Sequence, residues 1–300
     1  MKKFLCVLLC VILLTFSCAF AEETESSTGT WWNILLLGTD NRSEEHHGRT
    51  DSMIILSVNV ETKEAKLTSI LRDTWVKIEG HGSNKLNAAC AYGGPELTMS
   101  TINEHFDTDI SQYVMINIAG LADVIDLLGG VDLDVTEEER NALNKGLFDL
   151  SDYSGMEKLE EYGENVHLNG NQAVAFARIR KIDSDMRRTE RQRRLLTEIA
   201  KKLKDNDSLT ILSVINKLMP YVQTNISLVD LISLASVGLQ MDMDSIQQFR
   251  IPADGTYESG MFDGVWCVKP NFEKNAELLY DFIYNGNDSL TERNRENQED

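Results

Sequence analysis

Asp40, Arg49 and Asp51 lie in a polar stretch between two apolar runs, Ile34–Leu37 and Met53–Val60. Arg72 and Asp73 close a third run, Lys66–Leu71. Carboxylates such as Asp40 and Asp51 are hard oxygen ligands that suit Mg²⁺, or a similar ion such as Mn²⁺. Guanidinium groups such as Arg49 and Arg72 grip phosphate oxygens through a planar fork. Metal and arginines together suit transfer from a diphosphate, where neutralising phosphate oxygens is most of the chemistry. Plainer readings stand beside this one. Asp40 also fits a turn at Gly38-Thr39-Asp40, and Arg49 with Asp51 fits an ordinary surface pair. Lys85 and Asn87 fit a plain helix start, and His46 and His47 a solvated loop.

A second cluster lies far along the chain. Ala177–Arg194 holds Arg178, Arg180, Lys181, Arg187, Arg188, Arg191, Arg193 and Arg194 against Asp183, Asp185 and Glu190. A helix turning about 100° per residue, with Leu195, Leu196, Ile199 and Leu203 as its apolar stripe, puts Arg188 and Gln192 inside the stripe. Arg191 and Arg193 fall on its edges, and Arg187 and Arg194 on the solvent side. An inward arginine needs a buried carboxylate or a bound anion. The partial positive charge of a helix N-terminus favours an anion at the same place.

These residues need elements to hold them. If Met53–Val60 runs antiparallel to Ile34–Leu37, then Asp40, Arg49 and Asp51 share one sheet edge, where ligands of α/β sheets collect. The short polar link Glu61–Glu64 predicts a hairpin between Met53–Val60 and Lys66–Leu71. Further strands are expected at Tyr113–Asn117, Val131–Val135, Ile246–Ile251 and Val265–Val268. Helices are expected at Asn84–Tyr92, Pro95–Phe106, Ala119–Leu128, Asn169–Ala177, Arg188–Lys204, Leu209–Leu218, Leu228–Gln240 and Asn271–Tyr284. Thr136–Val166 is acidic and reads as a mobile, irregular insertion. Strands interleaved with helices predict an α/β fold, an α-β-α sandwich around a central mixed β-sheet.

The chain has 300 residues, a hydrophobic fraction of 42% and a formal net charge of −19. That charge argues against nucleic-acid binding. Lys2 and Lys3, the apolar run Phe4–Phe16 and Ala19-Phe20-Ala21 read as an export leader, either cleaved after Ala21 or kept as an anchor. Either way the body lies outside the cytoplasm. Residues 22–30 read as a linker, 31–285 as one domain and 286–300 as a disordered tail. Outside the leader the cysteines are Cys90 and Cys267, which read either as a disulfide or as two buried thiols.

Several stretches together resemble the LytR–CpsA–Psr family of cell-envelope proteins: LLLGTDNR, GRTDSMIILSVN, SILRDTWVKIEGHGSNKLNAACAYGG, INIAGLADVIDLLGGVDLDV and HLNGNQAVAFARIRKIDSDMRRTERQ. They stand in the family's order across a motif core of residues 33–204, with residues 205–285 as a C-terminal extension. The resemblance implies a hydrophobic lipid-binding pocket in the sandwich. It implies Mg²⁺-dependent transfer of a glycopolymer phosphate from an undecaprenyl-pyrophosphate carrier to a peptidoglycan acceptor, at the membrane surface. Arg49 and Asp51 match its RTD motif, and Asp40 the preceding metal-associated Asp. Arg72 matches the arginine at the pyrophosphate, and Arg178 and Arg180 an RxR pair. Arg188 and Gln192 match the Arg and Gln near the lipid phosphate, and Arg191 is counted with that set. Asp183 and Asp185 match the acidic pair before Arg188, holding the arginines in place, with Lys85 and Asn87 in support. Asp73 or a metal-side Asp would take the acceptor's proton. Leu71 stands where the family has Pro, and Arg187 where it has Gly.

Overall fold

The run NILLLG makes Trp31–Thr39 (β1) a strand that sheet neighbours flank on both sides. The computed structural model describes residues 31–39, 48–149, 157–180, 182, 185–205 and 219–286. The leader, Asp40, His46, His47, Lys181, Asp183, the helix expected at Leu209–Leu218 and the tail beyond Gly286 lie outside the described residues. Among the described residues, no helix is long and apolar enough to cross a membrane.

Thr50–Asn59 (β2) pairs antiparallel with β1 and with Ala65–Ile70 (β3), giving the expected hairpin. Trp75–Ile78 (β4) and Gly82–Lys85 (β5) form a separate small hairpin. This corrects the helix expected from Asn84. The alternation Trp75, Val76, Lys77, Ile78 and the His81-Gly82 turn favour a hairpin, and the helix Ala88–Phe106 (α1) starts only after it. Gly93 and Gly94 break α1, and Gly94 takes φ 72°, which side chains with a Cβ rarely adopt.

Gln112–Asn117 (β6) pairs parallel with β1 through a helical crossover. Ile118–Leu127 (α2) leads to Val131–Val135 (β7), Glu137–Asp149 (α3) and Gly163–Leu168 (β8), and β7 pairs antiparallel with β8. The segment read as irregular is therefore largely ordered, which corrects that expectation. Acidic residues that weaken its apolar pattern, Glu137, Glu138 and Glu139, occupy the first turn of α3, where negative charge is favourable. Gly170–Ala177 (α4) begins with an Asn169–Gln172 capping box. A Cβ at Gly170 would sit 2.0 Å from the Ala122 carbonyl oxygen, so only glycine lets α4 meet α2 so closely. Asp185–Asp205 (α5), Val222–Thr224 (β9), Leu228–Gly238 (α6), Gln247–Ile251 (β10), Tyr257–Phe262 (β11), Val265–Pro270 (β12) and Phe272–Tyr284 (α7) complete the order. β11 lies outside the strands expected from sequence.

The six-stranded sheet runs β10-β3-β2-β1-β6-β9 and is mixed, with β10–β3 and β1–β6 parallel. One face packs Leu35, Leu37, Met53, Ile55 and Phe249 against Ile102 and Phe106 of α1 and Leu279 and Phe282 of α7. On the other side α2, α3, α4 and α5 build their own core with β7 and β8, around Ile125, Leu143, Phe176 and Leu195. The sheet face toward that second layer is not sealed. Leu36, Val114 and Ile116 stay partly accessible on β1 and β6, although Leu35 and Leu37 on the opposite face are 0% and 2% exposed. Partly exposed leucines are ordinary at a surface. On the central strands they leave apolar side-chain surface uncovered. Cys90 and Cys267 are separate buried thiols.

Candidate active site

The β1–β2 register places Gly38 opposite Ser52 and Thr39 opposite Thr50, so Asp51 is an extra residue in a β-bulge. A bulge frees one residue from the ladder and re-aims its side chain. Asp51 Oδ1 accepts from Arg72 Nη1 and from Arg180 Nη2, each at 2.6 Å. Arg72 follows the end of β3, and Arg180 lies between α4 and α5. The two informative stretches of the sequence meet on one carboxylate.

The network continues to both sides. Arg72 Nε lies 3.3 Å from Asp185 Oδ2, which also accepts from Arg188 Nη2 at 2.8 Å. On the other side, Lys85 Nζ lies 2.8 Å from Asp73 Oδ1, and Arg72 Nε is 3.9 Å from Asp73 Oδ2. The β4–β5 hairpin delivers Lys85 to this place. The Asn87 N–H donates to the Arg72 carbonyl at 3.2 Å, and Asn87 Oδ1 is buried without a partner. Gln192 Nε2 reaches the Asp51 carbonyl at 3.4 Å.

Arg188 is 1% exposed, yet its Nε and Nη1 have no hydrogen-bond partner. Burial pushes its guanidinium down to about 10, Arg72 and Arg180 add to that push, and Asp185 and Asp51 oppose it. Arginine stays charged in proteins, so the push registers an unmet demand for negative charge. Burial would raise the Asp51 carboxyl, but Arg180 and Arg72 hold it below its ordinary value. Burial likewise opposes the charge on Arg72, and Asp185, Asp51 and Asp73 outweigh it.

The Asp51 shift has a consequence for stability. The carboxylate is held below its ordinary 3.8 in the folded chain. Its contribution is complete above that value and is lost as pH falls through the lower folded one. Below about pH 4 the wild type should lose stability more steeply than Asp51→Asn, measured by urea unfolding at stepped pH. Parallel curves would remove Asp51 from the pairing.

Not every arginine of the second stretch joins the cluster. Arg191 is buried elsewhere: its Nε donates to Glu139 Oε1 of α3 at 2.8 Å, and its Nη1 lies 3.4 Å from the Ile179 carbonyl. This corrects its inclusion among phosphate-binding residues, because a stripe-edge position faces the neighbouring helix. Glu139→Ala should therefore cost about 3–5 kcal/mol in chemical unfolding, the usual loss on breaking a buried pair, without changing diphosphate binding. Arg193 donates to Gln248 Oε1 at 2.9 Å and Ser69 Oγ at 2.7 Å, tying α5 to the sheet. Arg178 is partly buried at the end of α4, with no ion pair among the described residues. Arg49 is exposed just before β2, two residues from Asp51. An open polar groove of about 610 Å³ lies along the solvent side of α5, lined by Asp132, Arg194 and Lys201 among others. Lys201 and Lys202 there are paired with Asp244 and Asp132, so it offers no free charge comparable to Arg188.

Sequence reasoning missed the bulge, which has no local signature beyond the polar Thr50-Asp51-Ser52. It also missed the hairpin that aims Lys85. Asp51 Oδ2 accepts no hydrogen bond among the described residues. One hard anionic oxygen beside a cluster of arginines fits Mg²⁺, which commonly takes one or two carboxylates together with phosphates and water. Asp40 lies outside the described residues.

The family model described as LytR_cpsA_psr family matches residues 18–280. This chain belongs to the LytR–CpsA–Psr family. It is 31% identical over 252 residues to a Bacillus cereus protein named polyisoprenyl-teichoic acid–peptidoglycan teichoic acid transferase TagU, covering 82% of this chain and 75% of that one. A TagU of Halalkalibacterium halodurans is 33% identical over 229 residues, covering 75% and 70%. Among solved structures, TagT bound to LIIa-WTA superposes with a TM-score of 0.70 at 27% identity, covering 88% of this chain and 94% of that one. TagT with bound octaprenyl pyrophosphate lipid superposes at 0.65 and 25% identity, covering 88% and 93%.

Proposed function

We propose that this chain is an extracytoplasmic phosphotransferase that moves a glycopolymer phosphate from an undecaprenyl-pyrophosphate carrier to peptidoglycan. The observation that carries this reading is Arg188, a buried guanidinium with two unpartnered nitrogens beside Arg72 and Arg180. Arg72, Arg180, Arg188 and Lys85 outnumber Asp51, Asp73 and Asp185 by one charge, so the cluster has positive charge left to meet a diphosphate. In this reading the prenyl chain lies against the partly accessible apolar residues Leu36, Val114 and Ile116 of the sheet. The names of the TagU relatives and the octaprenyl pyrophosphate bound to TagT support the same chemistry.

Arg72 and Arg188 hold the diphosphate oxygens, Gln192 and Arg180 fix its position, and exposed Arg49 closes on it from the rim. Asp51, together with Asp40 from the preceding polar stretch, would hold Mg²⁺, which supplies further charge neutralisation to the phosphates. A peptidoglycan sugar hydroxyl attacks the glycan-side phosphorus. The bond from that phosphorus to the bridging oxygen breaks, and polyprenyl phosphate leaves. Asp73, paired with Lys85, takes the hydroxyl proton.

The full chain is to be incubated with polyprenyl-pyrophosphate-linked glycopolymer, Mg²⁺ and peptidoglycan. Release of polyprenyl phosphate together with glycopolymer attached to peptidoglycan is expected. Release without attachment makes the protein a pyrophosphatase, and binding without release a lipid-holding module. Either result retires the proposal.

A further inference from the structure

The acceptor has to reach the phosphorus from a side that the arginines leave open, and a second surface leads there. The Leu86 N–H donates to the Thr74 carbonyl at 2.7 Å and the Val268 N–H to the Asp73 carbonyl at 2.9 Å. Thr74 and Val268 form a parallel bridge, so β5, β4, β12 and β11 adjoin in that order. Residues opposite one another on neighbouring strands share a face, and neighbours along a strand alternate. Thr74, Val76, Ile78 and Val268 form the buried face. The other face carries Lys85 opposite Trp75, then Lys77, Lys269 and Phe262, with the buried Cys267 opposite Gly260 at its centre.

This face starts inside the site, because Lys85 Nζ touches Asp73 Oδ1. Trp75 is partly exposed and belongs to none of the three buried clusters. Phe262 is partly exposed, with Lys269 Nζ 5.7 Å from its ring centre. Gly260 keeps the floor open: a Cβ there would meet nothing nearer than Phe262 at 3.8 Å. In a chain of net charge −19, Lys77, Lys85 and Lys269 face only Glu258 across these pairs.

We propose that this face is the acceptor platform: an N-acetylated glycan strand lies across Trp75 and brings one sugar hydroxyl to Asp73. An aromatic ring offers the flat apolar face of a pyranose a surface to stack on, and lysines donate to its hydroxyl and acetamido oxygens. The basic rim suits the carboxylates of attached peptide stems. Continuity with Asp73 selects the acceptor over other occupants, because the attacking oxygen has to arrive beside that carboxylate. The inference rests on the phosphotransfer reading and places its second substrate.

The test compares transfer to soluble, uncross-linked peptidoglycan strands with release of polyprenyl phosphate to water, using the full chain. Trp75→Ala and Lys269→Glu should each raise the half-saturating strand concentration about tenfold, the loss of one good contact, with release to water within about twofold of wild type. Lys269 is exposed, so its variant keeps the test sound if Trp75→Ala fails to fold. Unchanged strand dependence in both folded variants overturns the platform while the phosphotransfer reading stands. So does a deficit seen only with vesicle-embedded donor and not with detergent-dispersed donor, which would make this face a lipid contact. A wild-type chain that turns over no donor at all removes the reading beneath it as well.

Discussion

Replacing Arg72 by alanine is expected to lower turnover about a thousandfold, in the range for removing a group that stabilises transferring phosphate. Arg72 is the one side chain that spans the cluster, reaching Asp51, Asp185 and Asp73. Its loss should nonetheless leave the fold cooperative, because Asp51 keeps Arg180 and Asp185 keeps Arg188. The measurement is single-turnover release of polyprenyl phosphate, with urea unfolding beside it. Arg72→Lys should recover little, since an ammonium carries the charge without the fork. A folded alanine variant with normal rate would put Arg72 outside the chemistry.

The second large effect concerns Arg188 against Arg194, six residues apart on one helix. Arg188→Ala is expected to lower turnover by about two to three orders of magnitude, and Arg194→Ala by less than about threefold. Arg194 lies on the solvent side, where its Nη2 meets the Asp134 carbonyl and its guanidinium lies 5.4 Å from the Phe176 ring centre. Arg188 offers two bare nitrogens to the site. Stability should separate the cases too. Truncating Arg188 removes a buried charge whose one ion pair is with Asp185, and Asp185 keeps Arg72, so unfolding should shift little, and Arg188→Met, which refills the volume, should be about as stable as wild type. Equal kinetic losses for the two arginines would contradict the helix phase.

That phase was legible before any coordinates. The leucine stripe of α5 put Arg188 and Gln192 inward and Arg187 and Arg194 outward, and Arg188 is 1% exposed in the fold. The central strands were legible because Ile34–Leu37 is apolar throughout and Met53–Val60 is mostly apolar, as doubly covered strands are. The failures have equally physical sources. Arg191 sits at a stripe edge, where one sequence cannot say which neighbour it meets; the answer was Glu139, in a segment whose acidic residues hid its helix. β4 and β5 are four residues each, too short for periodicity to compete with the helix-forming LNAACAY that follows. The offset at Asp51 depends on how β1 lies against β2, which no local pattern encodes.

That offset also separates what Asp51 does from what the sheet requires. Every other residue from Thr50 to Asn59 faces a partner on β1, so Asp51 is supernumerary to the ladder. Excising it would leave Thr50 and Ser52 opposite the residues they already face, with Met53 and Ile55 still turned to the core. On the proposed mechanism, the metal-side carboxylate is thus an addition to the strand and not a member of its ladder. A lineage could lose the activity through one codon deletion and keep an intact scaffold, free to serve as a passive lipid carrier.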